Sequence, residues 1–290
     1  MSLKKEEFAH IRAVQIQATK SVNNLFEGLY RSCFKGRGLE FAEVKEYFAG
    51  DDVRAIDWKT SARFKRTYVK SYKEERQLTV FLVVDISQLT QFGHAAYLKS
   101  EVIANIGAIL AFSAIKNHDR VGLLLYSDQI ELFLKPKSGV NHVLRCIREI
   151  LYFPAKKEEK NLSTALSFFN QVQKERTICF LISDFIGQNC QTELSILSKR
   201  HEVIAIQVYD LYEKELPNLG LLVIEEMITK KKVLIDTSNQ KMRSDYREAS
   251  LQQQQSIKKL MQQAKVELLS LNVQQDYLKA LHLFFAKRKR

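Results

Sequence analysis

The apolar run Val80 to Val84 ends in Asp85, and Ser87 and Leu89 take the next alternate positions. Asp-x-Ser-x-Ser at a strand end would set three oxygen ligands around a small hard cation such as magnesium. Here the third oxygen is missing, because Leu89 stands where the second serine would be. A second apolar run, Thr177 to Ile182, ends at Ser183-Asp184. In open α/β sheets ligands bind beyond the carboxyl ends of the strands, near the point where strand order reverses. If these two strands are neighbours, Asp85 and Asp184 share one small region. Two like charges that close require a cation, a proton or a basic side chain. The competing reading is that each aspartate merely caps a turn or a helix start. Lys160-Asn161-Leu162-Ser163-Thr164, just ahead of a predicted helix, forms a loop that could lie over the same edge.

Bringing those residues together takes a particular order of elements. Residues 4 to 30 read as a helix, with Phe8, Ile11, Val14, Ile16, Val22, Leu25 and Phe26 near a 3.6-residue period. Residues 31 to 77 have few apolar runs, many paired charges and the only tryptophan, Trp58. From residue 78 strands and helices alternate. Buried strands are expected at 78–84, 121–126, 177–182, 203–208 and 266–271, with an edge strand at 130–134. Helices are expected at 96–116, 139–152, 162–174, 190–199, 239–264 and 275–287, and an extra hairpin over about 221–236 turns at a lysine triplet. This pattern implies an α/β fold: a mainly parallel sheet in three layers with helices on both faces. The expected organisation is an N-terminal helix and irregular segment, 1–77, docking on a core of residues 78–290.

The chain has 290 residues, 46% of them hydrophobic, with only three prolines, which suits one large domain or two smaller ones. The opening MSLKKEEFAH carries charges and no apolar core, so no signal peptide is expected. The most apolar helical stretch, Val102 to Ile115, contains Asn105 and Ser113 and is too short to span a bilayer. The four cysteines, Cys33, Cys146, Cys179 and Cys190, show no zinc-type spacing and read as small apolar residues of a reducing compartment, so a cytoplasmic protein is expected. Net charge is +12, with basic clusters at Arg63-Phe64-Lys65-Arg66, Lys230-Lys231-Lys232 and Lys287-Arg288-Lys289-Arg290. Such charge suits an acidic protein partner, or peripheral contact of the basic C-terminus with anionic membrane. Nucleic acid is disfavoured, because no interleaved aromatic platform or nucleic-acid motif accompanies it. None of G-x-S-x-G, G-x-x-x-x-G-K-[ST] or H-E-x-x-H occurs, and the six histidines are scattered, so no enzyme is expected.

The segment GRGLEFAEVKEYFAGDDVRAIDWKTSAR, residues 36 to 63, followed by VKSYKEER at 69 to 76, resembles the signature of the von Willebrand factor A-like proteins known as domain of unknown function 58. The resemblance continues in order through VFLVVDIS (80–87), NHDRVGLLLYSD (117–128), CFLISDF (179–185), EVIAIQVYD (202–210), ELPNLG (215–220) and LIDTSN (234–239). It implies a von Willebrand A fold with a metal-ion-dependent adhesion site at the top of the sheet. Such a site takes Asp-x-Ser-x-Ser from one loop, a threonine from a second and an aspartate from a third. Asp85, Ser87 and Asp184 match; Leu89 replaces the second serine and Lys160 falls at the threonine. Asp85, Ser87 and Asp184 with three waters would make a weak Mg2+ site. The alternative, favoured by how few oxygens remain, sets the Lys160 ammonium between Asp85 and Asp184 as a built-in substitute for the cation. The resemblance further implies a bacterial protein associated with MoxR-type AAA+ ATPases. The resulting expectation is an adaptor or scaffold with a degenerate adhesion site; the alternative is a metal-dependent hydrolase or nuclease using Asp85 and Asp184.

Within the signature, Gly36, Gly38 and Gly50 permit tight turns, and Asp51, Asp52, Arg54, Asp57 and Arg63 offer matched charges at close spacing. Trp58 is expected to pack its ring while donating one hydrogen bond. One reading is a clasp that fixes this segment to the core through ion pairs; the other is a docking surface for another protein.

Overall fold

The computed structural model describes residues 5–23, 30, 33–34, 40–73, 77–87, 93–94, 97–154, 160–225 and 231–288. In chain order the strands are β1 (Glu40–Glu46), β2 (Tyr68–Lys73), β3 (Thr79–Asp85), β4 (Gly93–His94), β5 (Tyr97–Leu98), β6 (Arg120–Tyr126), β7 (Ile130–Lys137), β8 (Ile178–Ser183), β9 (Glu202–Tyr209), β10 (Leu221–Glu225), β11 (Lys232–Asp236) and β12 (Glu267–Asn272). The helices are α1 (Lys5–Ser21), α2 (Trp58–Phe64), α3 (Lys99–Lys116), α4 (Val140–Tyr152), α5 (Leu162–Val172), α6 (Gln191–Arg200), α7 (Gln240–Gln263) and α8 (Tyr277–Arg288).

Six strands form the central sheet in the order β12-β9-β8-β3-β6-β7. All neighbours are parallel except β7, which returns antiparallel along β6 at one edge. β3 and β8 are buried along their whole length, which is why their sequences run apolar without alternation. Their successive side chains nonetheless feed two different cores. Val80, Leu82 and Val84 join Ile178, Phe180 and Ile182 against α1, α3, α4 and α8. Phe81 and Val83 join Cys179 and Leu181 against α5, α6 and α7. The result is the three-layer arrangement implied by the alternating pattern and by the von Willebrand A resemblance. Phe81 shows how closely the layers fit. Its ring lies edge-on to Phe169 at 4.9 Å. It also covers Gly122 of β6 so tightly that a Cβ there would meet a ring carbon at 2.4 Å.

α3 is apolar nearly all round because it is covered on both sides, by the sheet and by α1 and α4. It stops at Asn117, where His118 takes a left-handed φ of 62° and starts the turn into β6. α1 buries Ile11, Val14 and Ala18, and Val22 just beyond its end continues the stripe, while Phe8 and Ile16 of the expected apolar face are exposed. Leu25 and Phe26 lie outside the described residues. α1 is fastened to the core by His10 to the Tyr152 hydroxyl at 2.8 Å and by Gln17 to the Tyr277 hydroxyl at 3.1 Å. Cys146, Cys179 and Cys190 are buried thiols, and burial raises Cys146 and Cys190 to about 12. His201, at a strand start where a surface position is the default, is instead buried beside Thr177 and edge-on to Phe169. Among the described residues no helix is long and apolar enough to cross a membrane.

Candidate functional site

Strand order reverses between β3 and β8. From β3 the chain moves outward to β6 and β7, then crosses back to β8 on the other side of β3 and continues to β9 and β12. Asp85 and Asp184 therefore end neighbouring strands at the switch point, where the crossover connections diverge and leave a crevice. Both are buried, at 1% and 3% exposure.

Asp85 Oδ1 accepts the Ser87 N–H at 2.9 Å, and Oδ2 accepts the Ser183 hydroxyl at 2.7 Å. Asp184 Oδ1 accepts the Ile186 N–H at 2.8 Å and is ion-paired with Lys160, whose side chain is itself only 5% exposed. The loop carrying Lys160 is pinned at two points: the Asn161 N–H donates to the Ser127 carbonyl at 2.8 Å, and the Leu162 N–H to Gln188 Oε1 at 2.8 Å. The Asn161 side chain then caps α5 by accepting the Thr164 N–H at 3.1 Å. Burial pushes the Asp85 carboxyl above its ordinary value; the Lys160 ammonium opposes this and the Asp184 charge adds to it. The ammonium thus acts on both carboxylates. Leu89 lies outside the described residues.

The donor set fits a divalent ion poorly. Asp85 has both oxygens engaged by the protein, and an ammonium takes up the Asp184 oxygen that also receives a backbone N–H. Magnesium needs about six oxygens in a near-octahedral shell. Among the described residues no group of three or more His, Cys, Asp or Glu is placed to hold a metal ion.

Several partners at the sheet top carry no local sequence signal. Ser183 directly precedes Asp184, yet its hydroxyl serves Asp85 across the strand boundary. Lys99, the first residue of α3, is 1% exposed and ion-paired with Glu213. Burial raises the Glu213 carboxyl; Lys99 opposes that, and the Asp184 charge reinforces it, so the two acid–lysine pairs lie within reach of one another. Asp210, at the end of β9, is fully buried and caps the following turn by accepting the Tyr212 N–H at 2.9 Å, with no hydrogen-bond partner for Oδ2 among the described residues. An acid at a strand end was a usable hint for Asp210. A lysine opening an apolar helix gave none for Lys99. Beside Asp85 a cleft of about 330 Å3 opens between β3, α3 and α4, walled by Val84, Ile103, Ile150, Leu151 and Phe153.

The signature residues are placed elsewhere, on a hairpin whose ladder pairs β1 with β2. Its aspartates build turns. Asp51 accepts the Phe48 N–H at 3.0 Å and Lys45 Nζ at 2.7 Å, and Asp52 accepts the Arg54 N–H at 3.0 Å. Asp57 caps α2 by accepting the Lys59 and Thr60 N–H groups at 3.1 Å. The Lys45 hydrogen bond lowers the Asp51 carboxyl, and the Thr60 N–H lowers that of Asp57. The expected pairing of these acids with Arg54 and Arg63 does not form, because short aspartates satisfy nearby N–H groups before they can reach an arginine. Trp58 does not pack its ring: it is 71% exposed. Hydrogen bonds and ion pairs described for residues 44–70 are all internal to the hairpin. At the other end of the chain Arg288 is turned inward, ion-paired with Glu202 and Glu267 and set over the Phe34 ring, while residues 289–290 lie outside the described residues.

A family model described as protein of unknown function DUF58 matches residues 43–256. The uncharacterized protein Rv1480 of Mycobacterium tuberculosis is 27% identical over 97% of this chain and 90% of its own length. YeaD of Bacillus subtilis is 28% identical over 38% of this chain and 25% of its own. Among solved structures, the conserved hypothetical protein BatB from Bacteroides thetaiotaomicron aligns with a TM-score of 0.45 at 12% identity, covering 73% of this chain and 98% of that one. The SpRpn10 VWA domain aligns at 0.37 and 11% identity, covering 71% and 93%.

Proposed function

This chain belongs to the DUF58 family, and from that premise we propose that it is a non-catalytic, von Willebrand A-like protein-interaction module whose adhesion site works without a metal. Lys160 supplies the positive charge that a divalent ion would bring, and holds the loops of β3, β8 and α5 in one arrangement. The buried Lys160–Asp184 pair carries this reading. Both carboxylates are tied to serine, backbone or lysine donors rather than left for proton transfer, which supports a binding role over hydrolysis. The cleft beside Asp85, lined by Asp85 and Ser100 as well as by apolar residues, gives a partner's side chain a place to enter. The partner we assign is a MoxR-type AAA+ ATPase, with this chain as adaptor or scaffold in protein-complex maturation or stress response.

Calorimetry with magnesium and manganese tests the metal-independent site. No stoichiometric binding is expected for the wild type, whereas Leu89→Ser with Lys160→Thr restores two hydroxyls and gains metal affinity. Tight stoichiometric binding to the wild type overturns the reading. Binding of the purified ATPase is expected to be unaffected by EDTA. Metal-dependent phosphodiesterase activity abolished by Asp85→Ala would instead establish a hydrolase.

A further inference from the structure

The tip of the β1–β2 hairpin, residues 47 to 67, leaves large apolar side chains in solvent: Phe48 at 68% exposure, Val53 at 61%, Trp58 at 71% and Phe64 at 59%. Hiding such groups is the usual outcome of folding, and Val69 at the base of the same hairpin is 2% exposed. The tip is nonetheless a built structure. The Tyr47 N–H reaches the Thr67 carbonyl at 2.8 Å and the Asp57 N–H the Tyr68 carbonyl at 2.8 Å, closing the tip at its base. Its three aspartates fix the turns from which the apolar groups project.

Its cations are used differently. From Trp58 to Arg66 there are four basic residues and no acidic one. Arg54, Lys59 and Arg63 have no carboxylate partner among the described residues; Arg63 lies beside the Phe64 ring, 5.8 Å from its centre. Exposed tryptophan and arginine set among smaller apolar groups are the composition of interface hot spots. We infer that this tip is a docking surface for an acidic protein partner, one that sets carboxylates against Arg54, Lys59 and Arg63 and receives Trp58 in an apolar pocket.

Charge selects this occupant over two others. In a symmetric contact a second copy would present the same tip, whose five basic residues outnumber its three acidic ones, so the two surfaces carry like net charge. An anionic bilayer presents negative charge everywhere and would repel Asp51, Asp52 and Asp57, whereas a protein surface can place its acids opposite the arginines alone. The inference is independent of the sheet-top reading, since it uses none of the residues there.

Trp58 is the chain's only tryptophan, so its emission reports on this surface without a label. A random peptide display library is selected on the full-length chain, and the recovered peptides are synthesised and titrated against Trp58 emission. The expected binders are rich in Asp and Glu with apolar residues between them, and they shift the emission to the blue in a saturable way. Arg63→Glu with Lys59→Glu weakens them about tenfold or more, with the melting temperature unchanged because both side chains are exposed. Lys160→Met leaves the emission response intact even if it abolishes binding at the sheet top. Recovered peptides that are not acidic, or that bind the charge-reversed chain equally well, overturn the inference. So does a blue shift produced by phosphatidylglycerol vesicles, or by raising the concentration of the chain alone.

Discussion

The top of the sheet and the tip of the β1–β2 hairpin each hold three aspartates, used in opposite ways. Asp85, Asp184 and Asp210 are buried, so Asp85 and Asp184 face a desolvation cost that the Lys160 ammonium offsets, and burial raises the Asp85 carboxyl. Asp51, Asp52 and Asp57 lie at the surface, capping backbone N–H groups, and hydrogen bonds lower the carboxyls of Asp51 and Asp57. One residue type thus depends on a distant lysine in the first region and on its own neighbours in the second. The charge balance follows from this. At the sheet top Lys99 and Lys160 are consumed internally, while at the tip Arg54, Lys59 and Arg63 are left facing outward.

The largest expected effect comes from removing the internal cation. Lys160→Met leaves a buried carboxylate unpaired, which costs about 3–5 kcal/mol in urea unfolding. Adding Asp184→Asn should recover part of that loss. A loss no greater than that of a surface pair, below about 1 kcal/mol, breaks the contrast between the regions. Next comes the sheet beneath the site. Gly122→Ala drives a methyl group into the Phe81 ring and should cost about 1–3 kcal/mol in the same assay.

Smaller still is a change in pH dependence. Asp85 has a carboxyl raised from 3.8, so its neutral form favours the folded state. Its contribution is complete below the unfolded value and is lost as pH rises through the raised folded value. Asp51 and Asp57, being lowered, act with the opposite sign, losing their contribution as pH falls through their depressed values. Asp85→Asn should therefore flatten the decline of unfolding free energy as pH rises from about 4 toward neutrality. An unaltered slope would show that Asp85 does not set it. The smallest effect belongs to the tip. Trp58→Ala should change stability by no more than about 0.5 kcal/mol, because its ring is exposed. Arg54→Ala should leave the melting temperature unchanged, whereas a large loss for either would mean that the hairpin is a clasp.

The sheet was legible because burial writes directly into sequence. Continuous runs such as Val80–Val84 and Ile178–Ile182 are what strands covered on both faces require. Only longer-range placement was out of reach. The stripe of the N-terminal segment was recovered at Ile11, Val14 and Val22 but not at Phe8 and Ile16, since periodicity gives a face and not its width. In the signature, charge spacing suggested ion pairs and a packed tryptophan. The capping of N–H groups by Asp51, Asp52 and Asp57 competes with such pairs locally, and exposure of Trp58 is a property of what fails to cover it.

By itself the sequence determined the alternating fold and the two strand-end aspartates, because these depend on residue type and local period; Lys160 entered through the resemblance to the von Willebrand A-like family. The tertiary structure alone decided that β3 and β8 are neighbours, that Lys160 reaches Asp184, that Lys99 and Glu213 form a second buried pair, and that the signature's apolar groups face water. Each of these depends on which distant segments share a solvent-excluded space, and that is set by the packing of the whole chain.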